Sequence, residues 1–242
     1  MKKNVLMALI LISAAFILRA DVYIKTQIHT DPMAVMGQTQ PASDQTTEQW
    51  IASDKMATVM GDRVMVMDTA KKMAYIINVK EKTYLETPLP IDMAKLVPPE
   101  ASQMMGMMKV TVTVAPNGKT QKVDKWNCVG YDVGLNMPMM PMKMSVWATT
   151  DVPFDWKKFS ELAMAASKMG MIDEQSMKEF QKIEGFQIAS ETSGDVMGAK
   201  LKVTSQVVDI VNKPAPAGIY SVPAGFTKVD KLSLQELMGK KM

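Results

Sequence analysis

Sulfur is the reactive element this sequence carries in quantity. The stretch from Gly134 to Met144, GLNMPMMPMKM, holds five methionines and two prolines in eleven residues. Thioethers are soft ligands that select Cu(I). Methionines two apart on a strand bring their sulfurs to one face, and Pro138 and Pro141 keep the segment extended. Met137, Met139, Met140 and Met142 are therefore a candidate Cu(I) set. The stretch holds neither histidine nor cysteine to complete such a site. The favoured reading is a flexible apolar lining, because the unbranched thioether side chain re-packs around ligands of variable shape. No metal and no cofactor is expected.

Other catalytic parts are scarce. His29 and Cys128 are the only residues of their kinds. A zinc site of the usual Cys/His type cannot be built from them. Any Ser-His-Asp or Cys-His arrangement would have to use His29, which is read as a surface histidine in a loop beside TDPM. Cys128 is read as a buried, inert thiol. Phosphate-cradling glycine loops are absent from the sequence. The four tryptophans, Trp50, Trp126, Trp147 and Trp156, are separated and read as structural. The expectation is a protein that binds rather than catalyses.

The chain opens MKKNVLMALILISAAFILRA, with two lysines, an apolar run and small residues before Ala20. That is the layout of a secretory leader, residues 1–20, cleaved after Ala20, with a soluble periplasmic or secreted domain over 21–242. The full chain has 28 Lys+Arg and 25 Asp+Glu. Losing Lys2, Lys3 and Arg19 with the leader leaves the mature chain neutral, so nucleic acid is not an expected partner.

The elements that must position the sulfurs are mostly strands. VYIKTQI places Val22, Ile24 and Ile28 on one face, KVTVTVA alternates in the same way, and AKLKVTSQVVDIV does so again. Alternation of this kind marks antiparallel sheet with one wet face. The run QKVDKWNCVGYDV is read with Val123, Val129, Tyr131 and Val133 on one side. Asn117-Gly118 predicts a hairpin turn. Tight turns at MGDR, DTAKK and VKEK predict a meander over residues 46–86. Residues 91–108 predict helix in two pieces around Pro98 and Pro99. Asp155 caps a further helix bearing Phe159, Leu162 and Ala166, and another begins at Asp173.

The runs MVMDTAKKMAYIINVKEKTYLE, SVWATTDVPFDW and VVDIVNKPAPAGIYSVPAGFTKV resemble recurrent stretches in an uncharacterised family of exported bacterial proteins. That family is similar to the periplasmic lipoprotein-carrier (LolA-like) superfamily. The resemblance implies an α+β, mainly β fold: a strongly curved antiparallel sheet, a half-open barrel, with helices covering the concave face. It also implies an apolar cavity between the layers for a lipid or acyl chain, and a role in envelope lipid or lipoprotein handling with an envelope protein partner. Those carriers latch lid to sheet through an arginine, whereas Arg63 is the one arginine here after the leader.

On that fold, Met142, Met144 and Val146 share a strand face, as do Met65 and Met67. Tyr75 stands on the next strand. Met104 and Met108 lie on one side of a helical turn, and Phe159 lies on the later helix. These residues are the expected walls of the cavity. Without a cavity, the chain would be a structural envelope protein in which methionine replaces leucine as core filler.

Overall fold

Alternation with period two does decide the architecture. The computed structural model describes residues 21–35, 38–107, 110–137, 140–166, 174–196 and 198–232. The expected leader, Met108, Met139 and the start of the last helix at Asp173 lie outside them. The strands are β1 (Asp21–Thr30), the short hairpin β2 (Met33–Val35) and β3 (Gln38–Gln40), β4 (Ser43–Ile51), β5 (Lys55–Met60), β6 (Arg63–Asp68), β7 (Met73–Asn78) and β8 (Thr83–Pro88). Helices α1 (Met93–Leu96) and α2 (Pro99–Met107) follow, then β9 (Thr111–Val123), β10 (Trp126–Asn136) and β11 (Met142–Thr149). Helices α3 (Trp156–Ala166) and α4 (Glu174–Phe180) precede β12 (Phe186–Val196), β13 (Ala199–Lys213) and β14 (Thr227–Lys228).

Twelve strands form one sheet in the order β14-β8-β7-β6-β5-β4-β1-β13-β12-β11-β10-β9. It is curved and antiparallel throughout, save for the parallel pair β14 and β8, and its two ends do not meet. The expected half-open sheet with few helices is therefore what the chain adopts. The meander β4 to β8 follows its predicted turns, with Gly61, Lys72 and Lys82 at positive φ. In β1 and β4 to β8 the two faces separate cleanly. Ile24, Met56, Met67, Ala74 and Leu85 pack toward α1 and α3. Tyr23, Trp50, Ala57, Val66 and Ile77 pack against residues 215–226, a strap that crosses the opposite face.

Three expectations are corrected. Asn117-Gly118 is not a hairpin turn: β9 runs through it, and the turn falls at Asp124, which takes φ +52°. The φ of +70° at Gly118 serves an irregularity in β9 opposite Val129 to Tyr131. That irregularity also exposes Val129, while Trp126 and Cys128 are buried with Val123. His29 lies in β1 rather than in a loop.

Helix α3 forms where its predicted cap, Asp155, places it, and α1 has a cap of the same kind. Asp92 Oδ1 accepts from Ala94 N at 3.2 Å to start α1, and Asp155 Oδ1 accepts from Lys158 N at 3.1 Å to start α3. Helix α4 lies along β9, which ends the sheet. Ser176 Oγ accepts from Val112 N at 3.0 Å, and Glu179 Oε2 accepts from Val114 N at 3.0 Å. Two side chains three apart on a helix thus stand in for the missing neighbouring strand.

Candidate functional site

Apolar residues of the helix-covered face make a continuous floor. One cluster joins Ile24, Trp126, Ile188 and Val207, and a second joins Met56, Met67, Leu85 and Leu96. Ile51 and Phe159 pack against both. Phe159 reaches them from α3 and stands edge-on to Phe154 and Phe186, with ring centroids 5.9 and 5.3 Å away. Only one turn of α3 separates this ring from its Asp155 cap, so the cap sets where the ring is delivered.

Beyond this aromatic group the floor opens into a cavity of about 460 Å³. Gln121 of β9 lines it together with Asp44, Gln45 and Thr46 of β4. Those strands stand six steps apart in the sheet, which on a flat sheet would separate them by roughly 29 Å. They share a cavity because the sheet curls, and the cavity is therefore on its concave side. Cross-strand register supplies the rest: Gln45 pairs with Ile28, Ile28 with Ser205, Ser205 with Ser190, and Ser190 with Val146. Ile28 follows Ile24 by four residues on β1, so this row shares the core face. Trp147 lines the cavity from the alternate row, since it pairs with Ala189 and Ala189 with Gln206. A Cβ at Gly130 would sit 2.8 Å from Trp147 Cζ3 and 2.4 Å from Asn117 Oδ1, so only glycine leaves the indole its place.

Cavity-lining residues one step along each strand belong to the outer face by alternation. There His29 Nδ1 lies 2.7 Å from Asp44 Oδ1 and Nε2 lies 3.2 Å from Asp31 Oδ1, and Glu191 pairs with Lys202 at 3.0 Å. The two carboxylates raise the His29 pKa, the Asp44 hydrogen bond most. Cys128 is buried with its thiol pKa pushed up by desolvation, which keeps it an unreactive thiol.

The structure distributes the expected lining residues unevenly. Met65, Met67 and Phe159 meet in one cluster, and Met144 and Val146 meet in another with Tyr131, Val133 and Phe180. Tyr75 is on the opposite face: it pairs with Val66, and both pack under the strap. Met142 lines a second groove, of about 730 Å³, with Pro32, Pro141, Leu201 and three lysines, Lys143, Lys200 and Lys202. Of the copper set, Met140 N donates to Met137 O at 3.2 Å. The side chain of Met104, like Met108 and Met139, lies outside what is described. Among the described residues, no three His, Cys, Asp or Glu side chains gather as for a metal ion. Sequence reasoning missed Gln45, Gln121, Ser190, Ser205 and Trp147. Their one signal was that Gln45 and Ser205 flank Ile28, and seeing it requires the strand register.

This arrangement, an open curled sheet with an apolar floor running into a polar-lined cavity, defines the class of the molecule as a half-barrel with an internal hollow. The chain belongs to the family described as a domain of unknown function, DUF4412, whose match covers residues 25–226. The match runs from β1 to the end of the strap. A comparison with curated proteins finds no match.

Proposed function

We propose that the protein is a non-enzymatic binding protein of the cell envelope that holds a lipid or single acyl chain on the concave side of its half-barrel. One observation carries this reading: the apolar floor is continuous from Met56 and Met67 to Ile188 and Val207, and the ring of Phe159 on α3 packs against both of its parts. An acyl chain laid along that floor would replace the ring's contacts with methylene contacts at about 0.8 kcal/mol each. Met65 and Met67, being adaptable, suit such an exchange. The half-open sheet with helices on one face supports kinship with the lipoprotein carriers, and the leader-like residues 1–20 support export. A partner in the envelope would deliver or receive the ligand.

The test is native mass spectrometry of protein purified from a periplasm without detergent, paired with titration by a fluorescent fatty acid. The expected result is a chloroform-extractable adduct of several hundred daltons and saturable binding. Met65→Lys, which puts a charge on the floor, should weaken binding at least tenfold, since burying an unpaired charge costs several kcal/mol. A bare protein mass together with no saturable uptake overturns the proposal.

A further inference from the structure

Three of the four tryptophans carry a lysine on the ring. Lys213 Nζ stands 4.9 Å from the ring centre of Trp50, Lys125 Nζ 4.8 Å from that of Trp126, and Lys157 Nζ 5.7 Å from that of Trp156. The fourth, Trp147, is half-buried and lines the cavity, and no lysine or arginine among the described residues covers its ring. Register shows what shares its face. Trp147 pairs with Ala189, Ala189 with Gln206, Gln206 with Gln27, and Gln27 with Thr46. The neighbouring row on that face, two residues away on each strand, is Glu191, Thr204, His29 and Asp44. These two rows supply most of the lining. Glu191 is the diagonal neighbour of Trp147, within reach of an aromatic side chain. Asp44 stands three strand steps beyond Glu191, roughly 14 Å on a flat sheet and nearer on a curled one.

The charge of this lining has a definite sign. Asp44 and Glu191 are its carboxylates, and in a chain with 28 Lys+Arg none of the lining residues is a lysine or an arginine. His29 holds Asp44 at 2.7 Å and Asp31 at 3.2 Å, and Lys202 reaches Glu191 at 3.0 Å from the adjoining groove. All these pairs are exposed, and exposed ion pairs are weak enough to be exchanged for a ligand. Gln27, Thr46, Thr204 and Gln206 add neutral acceptors, and they make no side-chain hydrogen bond to other described residues. We infer that the cavity binds an aliphatic polyamine, with one ammonium against Trp147 and Glu191 and another beside Asp44. An indole face attracts a cation within about 6 Å of its centre, more strongly where water is excluded. The N–H donors of such a ligand meet carboxylate, amide and hydroxyl oxygens along its length. The volume, about 460 Å³, lies within the roughly 300–1,000 Å³ of small-molecule sites. The inference stands apart from the acyl reading, because neither row belongs to the floor that Ile24 and Val207 mark.

The experiment follows the ring signals of His29 by proton NMR, since the chain has one histidine and it lies in this lining beside Asp44. The probes are spermidine, butylammonium, butan-1-ol and magnesium ion, each titrated at one pH and one ionic strength. Spermidine should shift the signals saturably, with an affinity about tenfold or more above that of butylammonium, the gain expected when the first ammonium holds the second in place. Butan-1-ol should give no saturable shift. The double variant Asp44→Asn/Glu191→Gln should weaken spermidine at least tenfold. Both side chains are exposed, so that variant tests recognition rather than folding. Trp147→Leu should weaken spermidine about threefold or more, a loss within the range of one cation–π contact. Spermidine no tighter than butylammonium overturns the two-ended site. Magnesium acting as strongly as spermidine reduces the effect to plain attraction between charges and overturns the inference. So does an affinity that the double variant leaves unchanged, and so does the lack of a saturable shift with any probe.

Discussion

His29 faces an acceptor from each ring nitrogen, and only the imidazolium, with two N–H donors, satisfies both Asp44 and Asp31. Its pKa is accordingly raised. A raised folded-state pKa means a stabilising contribution that is full below the unfolded value, about 6.5, and lost as pH rises through the folded one. The chain has one histidine, so a proton NMR titration reads it without assignment. The midpoint should lie above 6.5, and Asp44→Asn should pull it down; a midpoint at or below 6.5 refutes the pairing. Glu191 and Lys202, nearby on the same outer face, are bound to each other and should leave the midpoint little changed. At this scale the sequence was half legible. That Cys128 would be buried followed from its being a lone thiol with nothing nearby to activate it, although alternation favoured Val129 for the covered side, whereas the carboxylates around His29 come from a turn and a neighbouring strand.

At the scale of elements, the exposed edge of the sheet is where stability and solubility meet. Helix α4 satisfies Val112 N and Val114 N through Ser176 and Glu179. Hydrogen bonds from Lys182 and from Val114 N lower the Glu179 pKa. Ser176 is fully buried, so Ser176→Ala should cost about 1–3 kcal/mol in denaturant unfolding, the penalty of an orphaned N–H. The same variant should self-associate in sedimentation at rising concentration, as uncovered edges do. A stable monomer would show that the helix merely sits nearby. The meander β4 to β8 was legible because its turns are short and local. Asn117-Gly118 misled because a hairpin signal says only that φ is positive. The chain spends that freedom on an irregularity within β9 and makes its turn at Asp124.

At the scale of the whole molecule, the strap is what hides the outer face of β1 and β4 to β8. Tyr220 Oη donates to Asp21 Oδ2 at 2.9 Å, and Ile219, Val222 and Phe226 cover Tyr23, Trp50 and Ile77. Removing residues 214–242 should wet those side chains at a cost of about 1.5–3 kcal/mol for each fully buried one, lower Tm sharply and raise binding of an apolar dye. Unchanged Tm would make the strap dispensable. The curved sheet itself was foreseeable from alternation and from the family resemblance, but the hollow was not. It exists because Gln121 of β9 comes to border the same space as residues 44–46 of β4, and no local pattern reports a meeting made by curling seven strands. Tyr75 was misplaced for the same reason: without the register to Val66, its face could not be chosen. One pairing has a temporal meaning as well. β1, the first strand of the sheet in the chain, joins β4 on one side and β13 on the other, with Asp21 opposite Lys213. The sheet cannot be completed until nearly all of the polypeptide is available. Such distant pairing makes folding slow, because the chain between the ends must be ordered before their contact repays it.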